Sequence, residues 1–124
     1  MTTDKLEVKF GQVRIFQNIL IAELNEGLLF TSENNKELLA IGKEVFKGKD
    51  YGYISFRKNS YAVDPMVYRE SAQAQNLKAI AVVSENELIR LNAHKVERQF
   101  YKTQNSFEVF DNLDQAINWI QFEI

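Results

Sequence analysis

The sequence predicts an α/β fold, a mixed β-sheet flanked by helices. Near the start of the chain, Leu6, Val8 and Phe10 alternate with Glu7 and Lys9, the period of a half-buried strand. Further on, Leu77 to Val83 is an almost unbroken apolar run, as in a strand covered on both faces. Helical patterns alternate with strand patterns through the second half. That order implies parallel strands joined by right-handed helical crossovers.

Leu6 to Phe10 reads as the first strand and Gly11-Gln12 as a tight turn. Val13, Ile15 and Phe16 continue the alternation, and Ile19 to Ala22 is a denser, more buried strand that Asn25-Glu26-Gly27 ends with turn chemistry. Thr31 or Ser32 is placed to cap a helix, its side-chain oxygen accepting from a free amide of the first turn. Leu38, Ile41 and Val45 then recur at helical spacing, with Leu39, Gly42 and Phe46 beside them, and Gly48 suits the residue just past the end. Tyr51 to Phe56 is aromatic and β-branched, hence a strand, and Arg57 to Val63 is a polar loop with apolar interruptions.

Asp64-Pro65 starts the next helix, which should run to about Gln75. Asp64 caps free amides, and Pro65 has no amide to leave unpaired. After the Leu77 to Val83 strand, Ser84 caps a long helix, supported by Glu87 three residues later, with Ile89, Ala93, Val96 and Phe100 as its apolar stripe. Phe107, Val109 and Phe110 form a last strand. Asp111 or Asn112 caps a final helix with Leu113, Ala116, Ile117 and Ile120 on one face, and Trp119 and Phe122 complete its buried side. The predicted order is β-β-β-α-β-α-β-α-β-α, a single domain over residues 1–124.

Composition bounds the function. The 124 residues are 45% hydrophobic, with nine Phe, five Tyr and one Trp, enough for a real core. No cysteine is present, which removes disulfides, thiolate nucleophiles and cysteine metal sites. Met1 to Asp4 is polar with no apolar run behind it, so no signal peptide is expected. No stretch reaches the roughly 18 apolar residues of a membrane span. A cytoplasmic location follows as the expectation. With 15 basic and 17 acidic residues, the chain has no overall field to draw in nucleic acid.

The sequence offers no catalytic set, no cofactor motif and no metal site. It has no glycine-rich phosphate loop, no Gly-x-Ser-x-Gly elbow and only one histidine, His94. His94 lies four residues from Arg90 and from Arg98, and these three form an anion-docking ridge if the helix face is functional, with Lys95 and Lys102 nearby. The loop Arg57-Lys58-Asn59-Ser60-Tyr61 holds the stronger expectation. It follows the carboxyl end of a parallel strand and precedes a helix start at Asp64, where contacts gather in open α/β sheets. Arg57, Lys58, Ser60, Tyr61 and Asp64 are therefore the candidate partner-binding or regulatory residues, and a phosphate on Ser60 would be matched by Arg57.

The element order resembles the STAS domain, the fold of SpoIIAA-like anti-sigma-factor antagonists. Ala79-Ile80-Ala81-Val82-Val83-Ser84 leads into a long helix. Phe107 to Ile120, with Phe110-Asp111, Ala116 and Trp119-Ile120, is similar to the strand-Phe-Asp-x-x-x-x-Ala-x-x-Trp-Leu ending of bacterial STAS-like proteins. The resemblance implies a non-enzymatic regulatory interaction module with a protein partner, a regulator or a kinase-like protein. Family members carry a regulated Ser in an Asp-Ser-x-Gly motif; the matching stretch, Asn59-Ser60-Tyr61-Ala62, lacks it, and Ser60 is the nearest hydroxyl. Some relatives are grouped with Sec14-like lipid-binding proteins. That makes a small hydrophobic ligand carrier the alternative, with Tyr51, Tyr53, Tyr68 and Phe100 as pocket lining. The exposed sheet edge and the Val8, Phe10, Val13 hairpin are where a homodimer would form.

Overall fold

The computed structural model describes residues 4–101 and 105–124. It holds a mixed six-stranded sheet in the order β1-β2-β3-β5-β7-β8. β1 (Asp4–Val8), β2 (Gly11–Phe16) and β3 (Ile19–Leu24) are antiparallel. β5 (Tyr51–Phe56), β7 (Leu77–Val83) and β8 (Ser106–Phe110) extend the sheet in parallel from β3. Two short strands, β4 (Leu29–Phe30) and β6 (Ala62–Val63), pair separately in parallel. The helices are α1 (Ser32–Phe46), α2 (Met66–Ala72), α3 (Glu87–Asn92) and α4 (Leu113–Glu123).

Alternation along the strands divides the core in two. Leu20, Ile80 and Val82 face α1 and α2, with Leu38, Val67 and Tyr101 packed on them. Ile21, Ile54 and Ala81 face α4, which lays Ala116, Ile117 and Ile120 on the sheet. Ile120 is fully buried, which contributes about 1.5–3 kcal/mol. Gly52 permits this approach, because a Cβ there would run into the Ile120 side chain. Trp119 is half-buried against Phe110 at 5.7 Å, but Phe122 is 87% exposed and lies outside the core expected for it.

Three predicted helix starts hold. Thr31 caps α1, its Oγ1 accepting from the Asn34 amide at 3.1 Å. Asp64 Oδ1 accepts from the Met66 amide at 3.0 Å, and Asn112 Oδ1 from the Gln115 amide at 3.1 Å.

Other boundaries move. The first turn is Lys9-Phe10 rather than Gly11-Gln12. Gly11 opens β2 at a place where a Cβ would strike the Glu23 carbonyl. α1, by contrast, ends as expected, with Lys47 as its C-cap (φ 51°) and Gly48 just past it at φ 84°. α2 stops at Ala72, short of Gln75.

The long helix expected after Ser84 is the largest departure. Ser84 is buried and receives the Asn86 amide, and Asn86 is the cap that starts α3. After six residues the chain changes to a π-turn (Ala93–Glu97) and then a 3-10 turn (Arg98–Tyr101). The wider turn rotates the buried face. Val96, expected inside, is 41% exposed, while Glu97 is 3% exposed.

Candidate functional site

The parallel strands end together, and the loops after β5, β7 and β8 meet at one edge. Arg57 follows β5, Ser84 follows β7 and Asp111 follows β8. Open α/β sheets bind ligands and partners at this edge. The loop after β5 is held against the connection from β3 to β4. Gly27 N donates to the Ser60 carbonyl (2.8 Å), Ala62 N to the Leu28 carbonyl (2.9 Å) and Asp64 N to the Phe30 carbonyl (3.0 Å). Asn59 Nδ2 donates to the Leu24 carbonyl at 2.9 Å, and Ser60 N donates to Glu26 Oε1 at 3.0 Å.

Behind this loop lies a buried ion pair. Arg57 Nη1 donates to Glu97 Oε2 at 2.6 Å and Nη2 to Oε1 at 2.5 Å. Its Nε donates to Ser55 Oγ at 2.9 Å, and Ser55 Oγ lies 3.2 Å from the Tyr61 hydroxyl. The side chains of Arg57 and Glu97 are 12% and 4% exposed. Burial pulls the guanidinium pKa down, but the hydrogen bonds and charge of Glu97 outweigh it and hold the pKa above its ordinary value.

Tyrosines surround the pair. Burial, reinforced by neighbouring groups, holds the Tyr53, Tyr68 and Tyr101 phenols above their usual range; for Tyr68 and Tyr101 the main reinforcement is the Glu97 charge. The cavity among them is about 30 Å³, room for a water or two, whereas ligand pockets run to roughly 300–1,000 Å³. Tyr51 stacks on Phe46 and Tyr68 packs on Phe100, so three of the four aromatics expected to line a lipid pocket pack in ring–ring contacts, while Tyr53 lines the small cavity.

The predicted site residues are thus partly brought together. Arg57 is turned inward to Glu97 and is not a free loop cation for a phosphate on Ser60. Lys58 stands over the Phe56 ring at 4.9 Å, and Ser60 is exposed. Tyr61 points its hydroxyl at Ser55, and Asp64 caps α2.

The basic ridge is broken up. Arg98 Nη1 lies 3.3 and 3.2 Å from the two ring nitrogens of the exposed His94, but Arg90 turns away and donates to the Ser84 carbonyl at 2.7 Å. Lys95 is exposed, and Lys102 lies outside the described residues. In the hairpin, Phe10 and Val13 are buried in the core.

Two open clefts flank the ion pair. One, of about 520 Å³, runs past Phe56, Lys58 and Ser84 to Asp111 and Leu113. The other, of about 440 Å³, runs past Tyr61, Val63 and Tyr68 to Leu88 and Asn92. They share Arg57, Asn59, Ser60, Asn86 and Ile89. Among the described residues, no group of three or more His, Asp or Glu side chains is placed to hold a metal ion, and no helix is long and apolar enough to cross a membrane.

Sequence reasoning missed Glu97 as Arg57's partner. The two are forty residues apart, and nothing in the local pattern announces the π-turn that brings Glu97 inside.

No family model and no curated protein sequence matches the chain. Among solved structures, the chain is similar to an uncharacterised DUF3478-family protein with a SpoIIAA-like fold from Shewanella loihica PV-4. The TM-score is 0.55 at 11% identity, over 96% of this chain and 92% of that one. The chain therefore has a SpoIIAA-like fold, as the element order led us to expect.

Proposed function

We propose that this chain is a non-enzymatic, cytoplasmic regulatory domain that binds a protein partner, a regulator or a kinase-like protein, at the carboxyl edge of its sheet. The observation that carries the reading is the fixed loop between the two clefts. Backbone hydrogen bonds at residues 60, 62 and 64 and the Asn59 side chain hold this loop against residues 24–30, with Ser60 exposed on the wall the clefts share and Lys58 exposed on the first cleft. A surface held in one shape meets a partner without an ordering cost at binding. The SpoIIAA-like fold supports the same reading by likeness.

Affinity capture of the tagged chain from its source cells, followed by mass spectrometry, tests this. The comparison variant carries Ser60→Trp, which sets a large ring on the wall the two clefts share. It leaves Arg57 in place, because removing that residue would strand Glu97 inside the protein. A defined regulator retained by the wild type and lost with the variant supports the reading. A wild-type protein that retains no partner but carries a bound small molecule makes it a ligand carrier instead.

A further inference from the structure

We infer that the cleft floored by Phe56, Ile89 and Leu113 binds an extended segment of the partner in which lysine or arginine stands beside an apolar residue. This rests on the interaction reading above and names the chemistry of the segment.

Charge is the first argument. The cleft gathers the starts of α3 and α4, whose free amides would ordinarily favour an anion. Carboxylates reverse that sign. Glu87 and Asp114 stand in the first turns of the two helices, and Glu26, Glu85 and Asp111 line the cleft. Among the described residues the ion pairs are Arg14–Glu23 and Arg57–Glu97, so none of the three lining carboxylates is ion-paired. The nearby cations are mostly committed. Arg57 is neutralised by Glu97, and Arg90 is held on the Ser84 carbonyl. Among the described residues, Lys58, over the Phe56 ring, and Arg90, whose charge the Ser84 carbonyl does not cancel, stand against these three carboxylates and those of Glu87 and Asp114.

Three lining asparagines supply the second argument. Asn86 uses its Oδ1 to accept from the Leu88 and Ile89 amides, and Asn112 uses its own to accept from Gln115. Among the described residues neither NH₂ group has a partner, so each is left to donate. Asn59 does the reverse, donating to the Leu24 carbonyl and keeping its oxygen to accept. Fixed donors and a fixed acceptor in one apolar-floored cleft match a peptide backbone, which presents both N–H and C=O groups. A simple cation could use the carboxylates and the Asn59 oxygen but would leave the two NH₂ donors without a partner.

Shape is the third. The cleft of about 520 Å³ continues into one of about 440 Å³, which lengthens the groove across the edge of the sheet. Leu88, 75% exposed, stands on the second cleft and adds apolar surface along the path.

The test is panning a phage-displayed library of random linear peptides against the full chain, followed by fluorescence anisotropy with the enriched peptides. Enrichment in lysine or arginine beside an apolar residue is expected. Glu85→Lys and Asp111→Lys should each weaken binding about fivefold to tenfold, and raising the salt should weaken it further. Circular dichroism and urea midpoints unchanged from wild type confirm that these variants are folded. Enriched peptides that are acidic or uncharged, or that bind both variants as tightly as wild type, overturn the basic-segment inference and leave the interaction reading standing. No enriched peptide together with no captured partner overturns both. A self-associating protein that Glu85→Lys returns to monomer makes the occupant a second copy of this chain, and the partner assignment falls.

Discussion

Glu97→Ala removes one half of the buried pair and leaves the Arg57 guanidinium, 12% exposed, without its counter-charge. Removing one partner of such a pair costs about 3–5 kcal/mol, because the survivor remains desolvated and loses its compensation. Both contacts, at 2.6 and 2.5 Å, join charged groups in a forked geometry, which makes them strong hydrogen bonds. Arg57→Leu should lose a similar amount, since it strands Glu97 at 4% exposure. The double variant Arg57→Leu, Glu97→Leu should recover most of the loss, because well-packed apolar groups often replace a buried pair at little net cost.

Urea unfolding of the four proteins, followed by Trp119 fluorescence and far-ultraviolet circular dichroism, measures this. At a slope of about 1–3 kcal/mol per molar urea, either single variant lowers the midpoint by about 2 M. The coupling energy from the cycle should reach at least about 3 kcal/mol. A coupling below about 0.5 kcal/mol, the size of an exposed pair, would refute the reasoning, since the two groups would then be behaving as if solvated.

Alkaline pH attacks the same region through Tyr53, Tyr68 and Tyr101, whose folded pKa values are raised chiefly by burial. Their contribution is complete below the unfolded value near 10 and is lost as pH rises toward the folded values, by up to about 1.4 kcal/mol per pH unit for each phenol. Urea midpoints across this range should fall steeply and Tyr53→Phe should flatten the fall; a level profile counts against the buried phenols. Gly52→Ala should cost about 1–3 kcal/mol by overpacking against Ile120, and in thermal unfolding Ile120→Ala should cost less in that background than in wild type. Thr31→Ala removes the Oγ1 that accepts from the Asn34 amide, while the Thr31 amide keeps its bond to Asn34 Oδ1, and should cost about 1 kcal/mol by urea unfolding, whereas Leu88→Ser, at a site 75% exposed, should stay within about 0.5 kcal/mol of wild type.

Where the determining interaction is local, the sequence was readable. The alternation of β2, the apolar runs of β3 and β7 and the caps at Thr31, Asp64 and Asn112 all depend on residues a few positions apart, whereas β1 forms as an edge strand without the half-buried face its alternation predicted, Leu6 being exposed. The two-residue strands β4 and β6 show no such period, because pairing between distant segments makes them strands. Apolar residues at 89, 93, 96 and 100 fit a continuous α-helix, and only tertiary packing chooses the π-turn that puts Val96 outside. Within the candidate site, the loop's place at the carboxyl edge was legible from the element order. Arg57's role was not, because its partner lies on another element forty residues away.

Exposing Val96 while burying Glu97 is unfavourable taken alone, so the π-turn has to be sustained by what Glu97 meets inside. It meets the Arg57 fork, with Tyr68 and Tyr101 beside it. Arg57 is the first residue after β5, and Glu97 sits on the helical segment after β7. The ion pair therefore joins the two walls of the second cleft, and Arg57 also lines the first. Those walls cannot separate there without parting a buried charge pair, which fixes the width of the groove by one side-chain interaction. The residue that first looked like a phosphate-seeking loop cation thus acts from inside. It shapes the surface that Lys58, Ser60 and the lining carboxylates present.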